Sequence, residues 1–424
     1  MLKTDLNIIP IGNGINVIYA PLYGIAFYAS DKASDICRLY IKGEKIVVTA
    51  ENRYLLEQLS SLENKQIKKP NLRSIETNSY LVIILSQMCN LSCSYCYAQE
   101  SRSKDVLSKE QLKCAIDHIF SQKSKKKYFS FIGGGEPTVT WELLAWAIAY
   151  IRQCDNQAGI GITTNGTLLN EERIDLLKEH HIKVNLSFEI LPEVQNFQRC
   201  FADLKIKSFE IVNRAINLMN SKGIDLSFRS TITMLNVDKM TEMVDFVIKN
   251  YPTVNKIHFE PVTSIDNNKL FYDTFIEQFL KSRANASKYG LDVYCSVSRS
   301  FNKLKTRFCR GEFCITPTGE FVSCHRISSK KSDAFETFCY ARLENGSVLI
   351  DEDKKSKVEL MYNSINEYCT SCFARWHCAG SCVMERATLP NEMIDLKCYF
   401  IKKLIVSLIV EKLNQTIKNS EVAK

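Results

Sequence analysis

Three cysteines fall within one short stretch, Cys89-Asn-Leu-Ser-Cys93-Ser-Tyr-Cys96. Their C-x3-C-x2-C spacing lets three thiolates share one metal centre and leaves it a position without a protein ligand. Structural zinc, the ordinary use of close cysteines, is closed by four ligands, and no fourth stands nearby. The apolar run Leu81–Leu85 just before the triplet reads as a strand. The cysteines then occupy the loop at that strand's C-terminal end, where barrel and open α/β folds place their chemistry. Open cluster chemistry is therefore preferred to zinc.

Further reactive residue types follow at strand ends. Gly133-Gly-Gly-Glu-Pro-Thr138 puts three glycines after a second apolar run, where the backbone can approach a ligand closely. The spacing is neither G-x-G-x-x-G nor GxxxxGK, so nucleotide phosphate binding is not indicated. Thr163-Thr-Asn-Gly166 ends a third run, with Asn165 among its small polar residues. Asn185 and Ser187 alternate with apolar residues, as do Ser227, Arg229 and Thr231. Parallel strands buried on both faces usually read as continuous apolar runs. A polar inner face suits a hydrated barrel interior or, preferably, a cavity for a large polar molecule. A second cysteine group, Cys309, Cys314, Cys324, Cys369, Cys372, Cys378, Cys382 and Cys398, fills the C-terminal third. His325 and Arg326 follow Cys324 and either face the active site or pack. His377 reads as a surface residue or one supporting the ligands beside it.

The elements that must position these residues alternate strand and helix. Strands are expected at Leu81–Leu85, Tyr128–Ile132, Ile160–Thr163, Val184–Phe188, Leu226–Thr233 and Ile257–Phe259. Helices are expected from Ser108, Thr140 and Asn170 and near 208–222 and 237–250. Six such units make a parallel α/β layout, an open sheet or an incomplete barrel. Residues 1–75 form a small leading unit. Asn16–Tyr19, Ile25–Tyr28 and Lys45–Thr49 are β-like, Asp31 caps a helix to Tyr40, and Glu51–Leu62 is a second helix. These suit a winged-helix-like module, followed by a linker over Lys65–Asn71. Asn391–Ile417 reads as an amphipathic helix covering the barrel end.

The chain of 424 residues, 45% hydrophobic and 24% charged, is long enough for two or three domains. No signal peptide is visible, and the longest apolar run, Leu143–Ile151, is too short to span a bilayer. A cytoplasmic location without membrane partners is expected. Seventeen cysteines there point to metal or redox use rather than disulfides. The net charge of +8 favours acidic partners such as an acidic peptide. No basic stripe with interleaved aromatics indicates nucleic acid.

CNLSCSYC, the GGEP of Gly134–Pro137 and TTNG together resemble the radical S-adenosylmethionine (SAM) enzymes. The resemblance implies a partial (β/α)6 TIM-like barrel over 80–300. It also implies a 4Fe–4S cluster on Cys89, Cys93 and Cys96 whose open iron binds SAM. It assigns the SAM amino group to Gly134, Gly135 and Glu136 and adenine to backbone near Tyr95 and Tyr97. Asn165 joins that site, and Ser187, Arg199 and Arg229 are suggested as ribose or carboxylate contacts. Cys309-x9-Gly319-x4-Cys324 and Cys369-x2-Cys372-x5-Cys378-x3-Cys382, then Cys398, resemble the SPASM extension, placed at 301–400, with helix and tail at 401–424. That resemblance implies two auxiliary 4Fe–4S clusters. One takes Cys309, Cys324 and Cys382 with Cys314 or a substrate thiol; the other takes Cys369, Cys372, Cys378 and Cys398. Paired zinc ribbons are the alternative.

SPASM enzymes mostly act on peptides and proteins. One implied reaction is radical cross-linking of a ribosomally made precursor peptide through a thioether, carbon–carbon or ether bond. Formylglycine formation in an anaerobic sulfatase is the alternative, and a non-catalytic iron–sulfur scaffold a third. Sulfatase maturases carry SLDGP after the fourth strand and an acidic residue after the cysteine matching Cys324. Here Ser187-Phe-Glu-Ile190 and His325 stand instead. The leading unit faintly resembles leader-binding modules that accept a peptide at a sheet edge. A flavodoxin or ferredoxin is the implied electron donor.

Overall fold

The structure, a computed structural model, describes residues 2–422 apart from 66, 68, 73 and 300. It divides into two compact units. One joins Met1–Arg73, Val297–Phe308 and Asn363–Lys424; the other joins Ser74–Ser296 and Cys309–Tyr362.

In the first unit, β1 (Asn7–Gly12), β2 (Ile15–Ala20) and β3 (Ile25–Ser30) form an antiparallel sheet in that order. Central β2 is buried from Asn16 to Ala20. The sheet carries α1 (Asp31–Lys42) and α2 (Arg53–Glu63), and Ile18, Ala20, Tyr23, Cys37 and Leu59 make a common core. Pro10 hides β1 from sequence reading, yet an edge strand tolerates a residue without an N–H. The cap of α1 is Ser30, whose hydroxyl accepts from Ala33 N–H at 3.3 Å. Asp31 is instead the first helical residue and accepts from Asn16 Nδ2 at 2.9 Å. The β-prone Lys45–Thr49 forms no strand. Asn52 donates to Val47 O and accepts from Thr49 N–H, so a local asparagine turn replaces the ladder. Two residues of the expected linker, 66 and 68, lie outside the described residues.

The C-terminal helix Asn391–Val422 packs against β3 in the same unit, burying Phe400, Ile401, Leu404, Ile405, Leu408 and Ile409. Tyr28 Oη donates to Asn414 Oδ1 at 2.7 Å. His377 is buried rather than superficial, with Phe301 stacked at 5.0 Å and Tyr19 Oη at 2.5 Å from Nε2.

In the second unit, parallel strands follow one another in chain order. They are β4 (Tyr80–Ile83), β5 (Tyr128–Phe131), β6 (Gly159–Thr164), β7 (Lys183–Ser187), β8 (Leu226–Ile232), β9 (Lys256–Pro261) and β10 (Asp292–Tyr294). The first six are the expected ones; three-residue β10 is too short to leave a periodic signal. β11 (Cys314–Ile315) pairs parallel to β4. The antiparallel β12 (Glu320–Val322), β13 (Cys339–Glu344) and β14 (Ser347–Ile350) follow. The sheet has eleven strands with β10 and β14 as edges. Its parallel run is the α/β layout expected of a partial barrel.

Helices cover the apolar face. Ser108 and Gln111 cap Lys109–Ser121 in a full capping box. Trp141–Cys154 begins one residue later than expected, after a 3₁₀ turn over Pro137–Thr140. Along β8 burial alternates strictly, with Leu226, Phe228, Ser230 and Ile232 covered and Ser227, Arg229 and Thr231 partly open. The same alternation continues in β7 and β9. Register puts Ser187 beside Arg229 and Arg229 beside His258, so the polar face is continuous across three strands.

Candidate active site

β4 delivers the chain to the cysteine loop, and three polar side chains hold that loop in place. Glu136 is the first. Its Oε1 accepts from Thr138 N–H (3.0 Å), Thr138 Oγ1 (2.6 Å) and Thr164 Oγ1 (2.6 Å). Its Oε2 accepts from Asn165 N–H at 2.7 Å. The carboxylate of Glu136, in the segment expected to meet the SAM amino group, joins the loops after β5 and β6. Asn165 extends the chain, its Nδ2 donating to Asn90 Oδ1 in the cysteine loop at 3.0 Å.

Glu189 is the third, just beyond β7, and its side chain is fully buried. It accepts from Tyr95 Oη, from Ser230 Oγ at 2.6 Å and from Thr231 N–H at 3.0 Å. Arg199 donates to Tyr95 Oη at 2.6 Å and pairs with Glu189 at 3.6 Å. Burial pushes the Glu189 carboxyl up, opposed by the Arg199 charge. Backbone bonds Ser92 N–H to Cys200 O (2.8 Å) and Ser94 N–H to Gln198 O (3.0 Å) lace the loop to the segment carrying Arg199. Ile190, next to Glu189, has φ +68°, a strained value for a β-branched residue.

Cys89, Cys93 and Cys96 converge closely enough that both neighbours act on the Cys93 thiol, which burial pushes up to about 11. Arg102 donates to Cys96 Sγ at 3.9 Å. Beside them lies a cavity of about 510 Å³ lined by Gln87, Cys89, Asn90, Arg102, Lys104 and Val139, among others. Gln87 Oε1 is buried without a hydrogen-bond partner, while its Nε2 donates to Ser328 O at 3.0 Å. A Cβ on Gly134 would stand 2.2 Å from that oxygen, and one on Gly135 1.9 Å from Met88 O. Gly135 is therefore required by close approach to backbone, whereas a side chain at Gly134 would displace the Gln87 amide. The orphaned carbonyl suits an incoming ammonium donor, as the SAM amino group would supply. The three thiols leave a cluster one position for it. The residues fit the group.

Of the other expected residues, Tyr97 is half-exposed and donates to Gly133 O at 3.0 Å. Its ring meets His325 edge-on at 6.3 Å and Arg326 at 5.7 Å, so both expected catalytic residues reach the cysteine loop. His325 N–H donates to Glu312 Oε2 at 2.6 Å and its Nδ1 lies 2.9 Å from Oε1. Against its burial, that histidine holds Glu312 below the usual carboxylate range. Ser187 and Arg229 face the polar interior. On β9, His258 Nε2 lies 2.9 Å from Glu260 Oε2 and stacks on Tyr294 at 4.9 Å. Although burial opposes it, His258 keeps the Glu260 carboxyl down at about 2.

Within the second unit, Cys324 acts on Cys314, and both Cys309 and Cys324 act on the buried Tyr362 hydroxyl. Cys382 belongs to the first unit. There Cys369, Cys372, Cys378 and Cys398 line one cavity, and burial pushes the Cys378 thiol up to about 12, with the other three adding to it. Among the described residues no three Cys, His, Asp or Glu side chains are arranged to hold one metal ion.

Sequence reasoning missed Gln87, Asn90, Arg102 and Glu312. Gln87 and Asn90 flank Cys89 and so carried a positional signal; Arg102 and Glu312 carried none. Glu189 was noted only as a departure from SLDGP, although a lone carboxylate amid Phe188, Ile190 and Leu191 is itself a sign of a buried partner.

Residues 83–247 match the Radical SAM superfamily. The radical SAM cyclopropyl synthase TigE of Paramaledivibacter caminithermalis is 21% identical over 91% of this chain and 84% of that protein. A cysteine-type anaerobic sulfatase-maturating enzyme of Clostridium novyi is 23% identical over 64% of this chain and 80% of that protein. Among solved structures, native anSMEcpe with bound AdoMet and Kp18Cys peptide aligns at TM-score 0.67. It has 17% identity and covers 80% of this chain and 99% of that one. Streptococcus suis SuiB bound to precursor peptide SuiA aligns at 0.55, with 12% identity, over 92% and 98%. These structures share the fold. No helix among the described residues is long and apolar enough to cross a membrane.

Proposed function

We propose, from the premise that this chain carries a radical SAM domain, that it matures a ribosomally made precursor peptide by closing a bond within it. The carrying observation is the buried lattice of Glu136, Asn165 and Glu189, which holds the cysteine loop beside a cavity that Gln87 and Cys89 also line. A bond to carbon is the preferred product, supported by the cyclopropyl synthase similar over nearly the whole chain.

When bound, the cluster and SAM supply a 5′-deoxyadenosyl radical that removes hydrogen from an unactivated carbon. Cys89, Cys93 and Cys96 hold the cluster. Gly134 and Gly135 let their loop close on Gln87 and Met88, and Gln87 Oε1 accepts a hydrogen bond from the SAM amino group. Asn165 and Glu136 keep these two loops in register. The partly open polar face of β7–β9, with Ser187, Arg229 and His258, orients the ribose and the peptide. His325 stands beside Tyr97, where its imidazole would accept the proton leaving the substrate, with Arg326 alongside as a fixed positive charge; the electron left on the substrate would pass to an auxiliary cluster. Cys369, Cys372, Cys378 and Cys398 hold one auxiliary 4Fe–4S cluster. Cys309 and Cys324, with Cys314 or a substrate thiol, contribute ligands to another. An acidic flavodoxin or ferredoxin supplies the electron. The three-stranded sheet of the first unit receives the leader.

Sulfatase maturation is the second reading, favoured by the fold shared with anSMEcpe. Incubation with dithionite, SAM and each class of peptide separates them. Peptide loss of two hydrogens with an intramolecular bond supports the first reading; formylglycine supports the second. Absence of 5′-deoxyadenosine above a Cys89→Ala/Cys93→Ala/Cys96→Ala control rejects both.

A further inference from the structure

Basic side chains outnumber carboxylates in the unit containing the three-stranded sheet, whereas the two nearly balance in the parallel-sheet unit. Its segment 297–308 has Arg299, Lys303, Lys305 and Arg307 and no acidic residue. Within this unit Lys69, Lys305 and Arg375 line a pocket of about 230 Å³ together with Leu72 and Trp376. No carboxylate lines it among the described residues.

Carbonyl groups and a ring help to hold two of these cations in place. Lys305 donates its backbone N–H to Trp376 O at 2.8 Å, and its Nζ donates to Phe308 O at 3.3 Å. Arg375 lies over the Trp376 ring at 4.8 Å and donates to Thr370 O at 3.3 Å. Asp5 feels both Lys69 and Arg375. It is buried, however, and its oxygens accept from Trp376 Nε1 at 3.1 Å and Leu22 N–H at 2.8 Å. Leu72 is 69% exposed, adding an apolar contact at the same pocket.

We propose that this pocket docks an acidic segment of a peptide, its Asp or Glu carboxylates against Lys69, Lys305 and Arg375 and an apolar neighbour on Leu72 and Trp376. The assignment deepens the peptide-substrate reading and rests on it for the partner's class. A nucleic acid would present the same charge as a continuous backbone. The recess is small and offers one aromatic face, which favours an isolated carboxylate.

The test uses the full chain with its clusters loaded and three labelled probes: a peptide of alternating Glu and Leu, the same peptide with Gln for Glu, and oligouridylate. The Glu peptide binds best, and its affinity falls as salt rises. Lys69→Glu/Lys305→Glu weakens it by about tenfold or more. Lys69→Arg/Lys305→Arg, with the charge restored, binds close to wild type. Equal binding of the Gln peptide, tighter binding of oligouridylate, or unchanged affinity in the Glu double variant overturns the proposal. Melting curves verify that the double variant folds, and Lys69→Gln/Lys305→Gln replaces it if it does not. Docking without any 5′-deoxyadenosine formation would instead reject the catalytic reading and leave the pocket's assignment standing.

Discussion

The triplet Cys89, Cys93 and Cys96 and the quartet Cys369, Cys372, Cys378 and Cys398 are supported in opposite ways. The triplet sits in a loop tied by Glu136, Asn165 and Glu189 to the ends of three parallel strands. Its geometry is set by polar bonds between protein groups. Cys369, Cys378 and Cys398 sit on a 3₁₀ turn (Glu367–Cys369), a single helical turn (Arg375–Cys378) and one long helix, with Cys372 in the link between the first two. The quartet's cavity is lined mostly by apolar atoms and thiols. The first region is preorganised, as a site that must bind a second ligand requires. The second would depend on the auxiliary cluster proposed for it, as structural metal sites depend on their metal.

Breaking the lattice should have the largest effect. Glu136→Ala strands the N–H groups of Thr138 and Asn165 and is expected to cost about 4 kcal/mol of stability. Denaturant unfolding measures it, and SAM affinity should fall in parallel. If SAM affinity survives, the lattice does not position the site. Next comes Cys398→Ser, which is expected to leave about four fewer irons per chain while the triplet's SAM-responsive signal persists. Loss of both signals together would show that the two regions are not independently assembled.

A smaller effect comes from Asp5, which holds Trp376 between Cys372 and Cys378. Burial raises its carboxyl from 3.8 to about 6. A raised carboxyl favours the fold below its unfolded value and loses that contribution as pH climbs through its folded value. Asp5→Asn should therefore gain on wild type by about 2 kcal/mol between pH 4 and 7. A constant difference across that range would place the carboxyl outside the buried environment. The smallest test is at Ile190, beside Glu189. The side chain is fully buried, so truncation to Ala costs about 3 kcal/mol. Ile190→Gly removes the same side chain and also relieves the left-handed strain, so it should be the milder by about 1 kcal/mol. The usual order, Ala milder than Gly, would deny that strain is stored there.

Local signals were strong where chemistry needs a rare residue in a set spacing. The triplet, the two glycines of GGEP and the alternating faces of β7 and β8 were all readable. Signals failed where a residue's role depends on a distant partner. Lys45–Thr49 has every preference of a strand, yet Asn52 takes up its backbone groups. His377 reads as superficial because Tyr19 and Phe301, which bury it, are remote in sequence. Glu136 reads as a ligand because the hydroxyls and N–H that occupy it come from Thr138, Thr164 and Asn165.

By itself, then, the chain's order of residues determined the chemistry: thiolates grouped for a cluster with an open position, glycines where a ligand approaches, and strands alternating with helices to carry them. Residue type and short spacing suffice for that, because a thiolate or a missing Cβ acts through its own atoms. Only the tertiary structure decided which carboxylates are spent on holding loops, which carbonyl is left over for a ligand, and that Lys69, Lys305 and Arg375 share a pocket. Those are matters of which hydrogen-bonding and charged groups are satisfied. Satisfaction is settled by contacts between residues far apart in the chain.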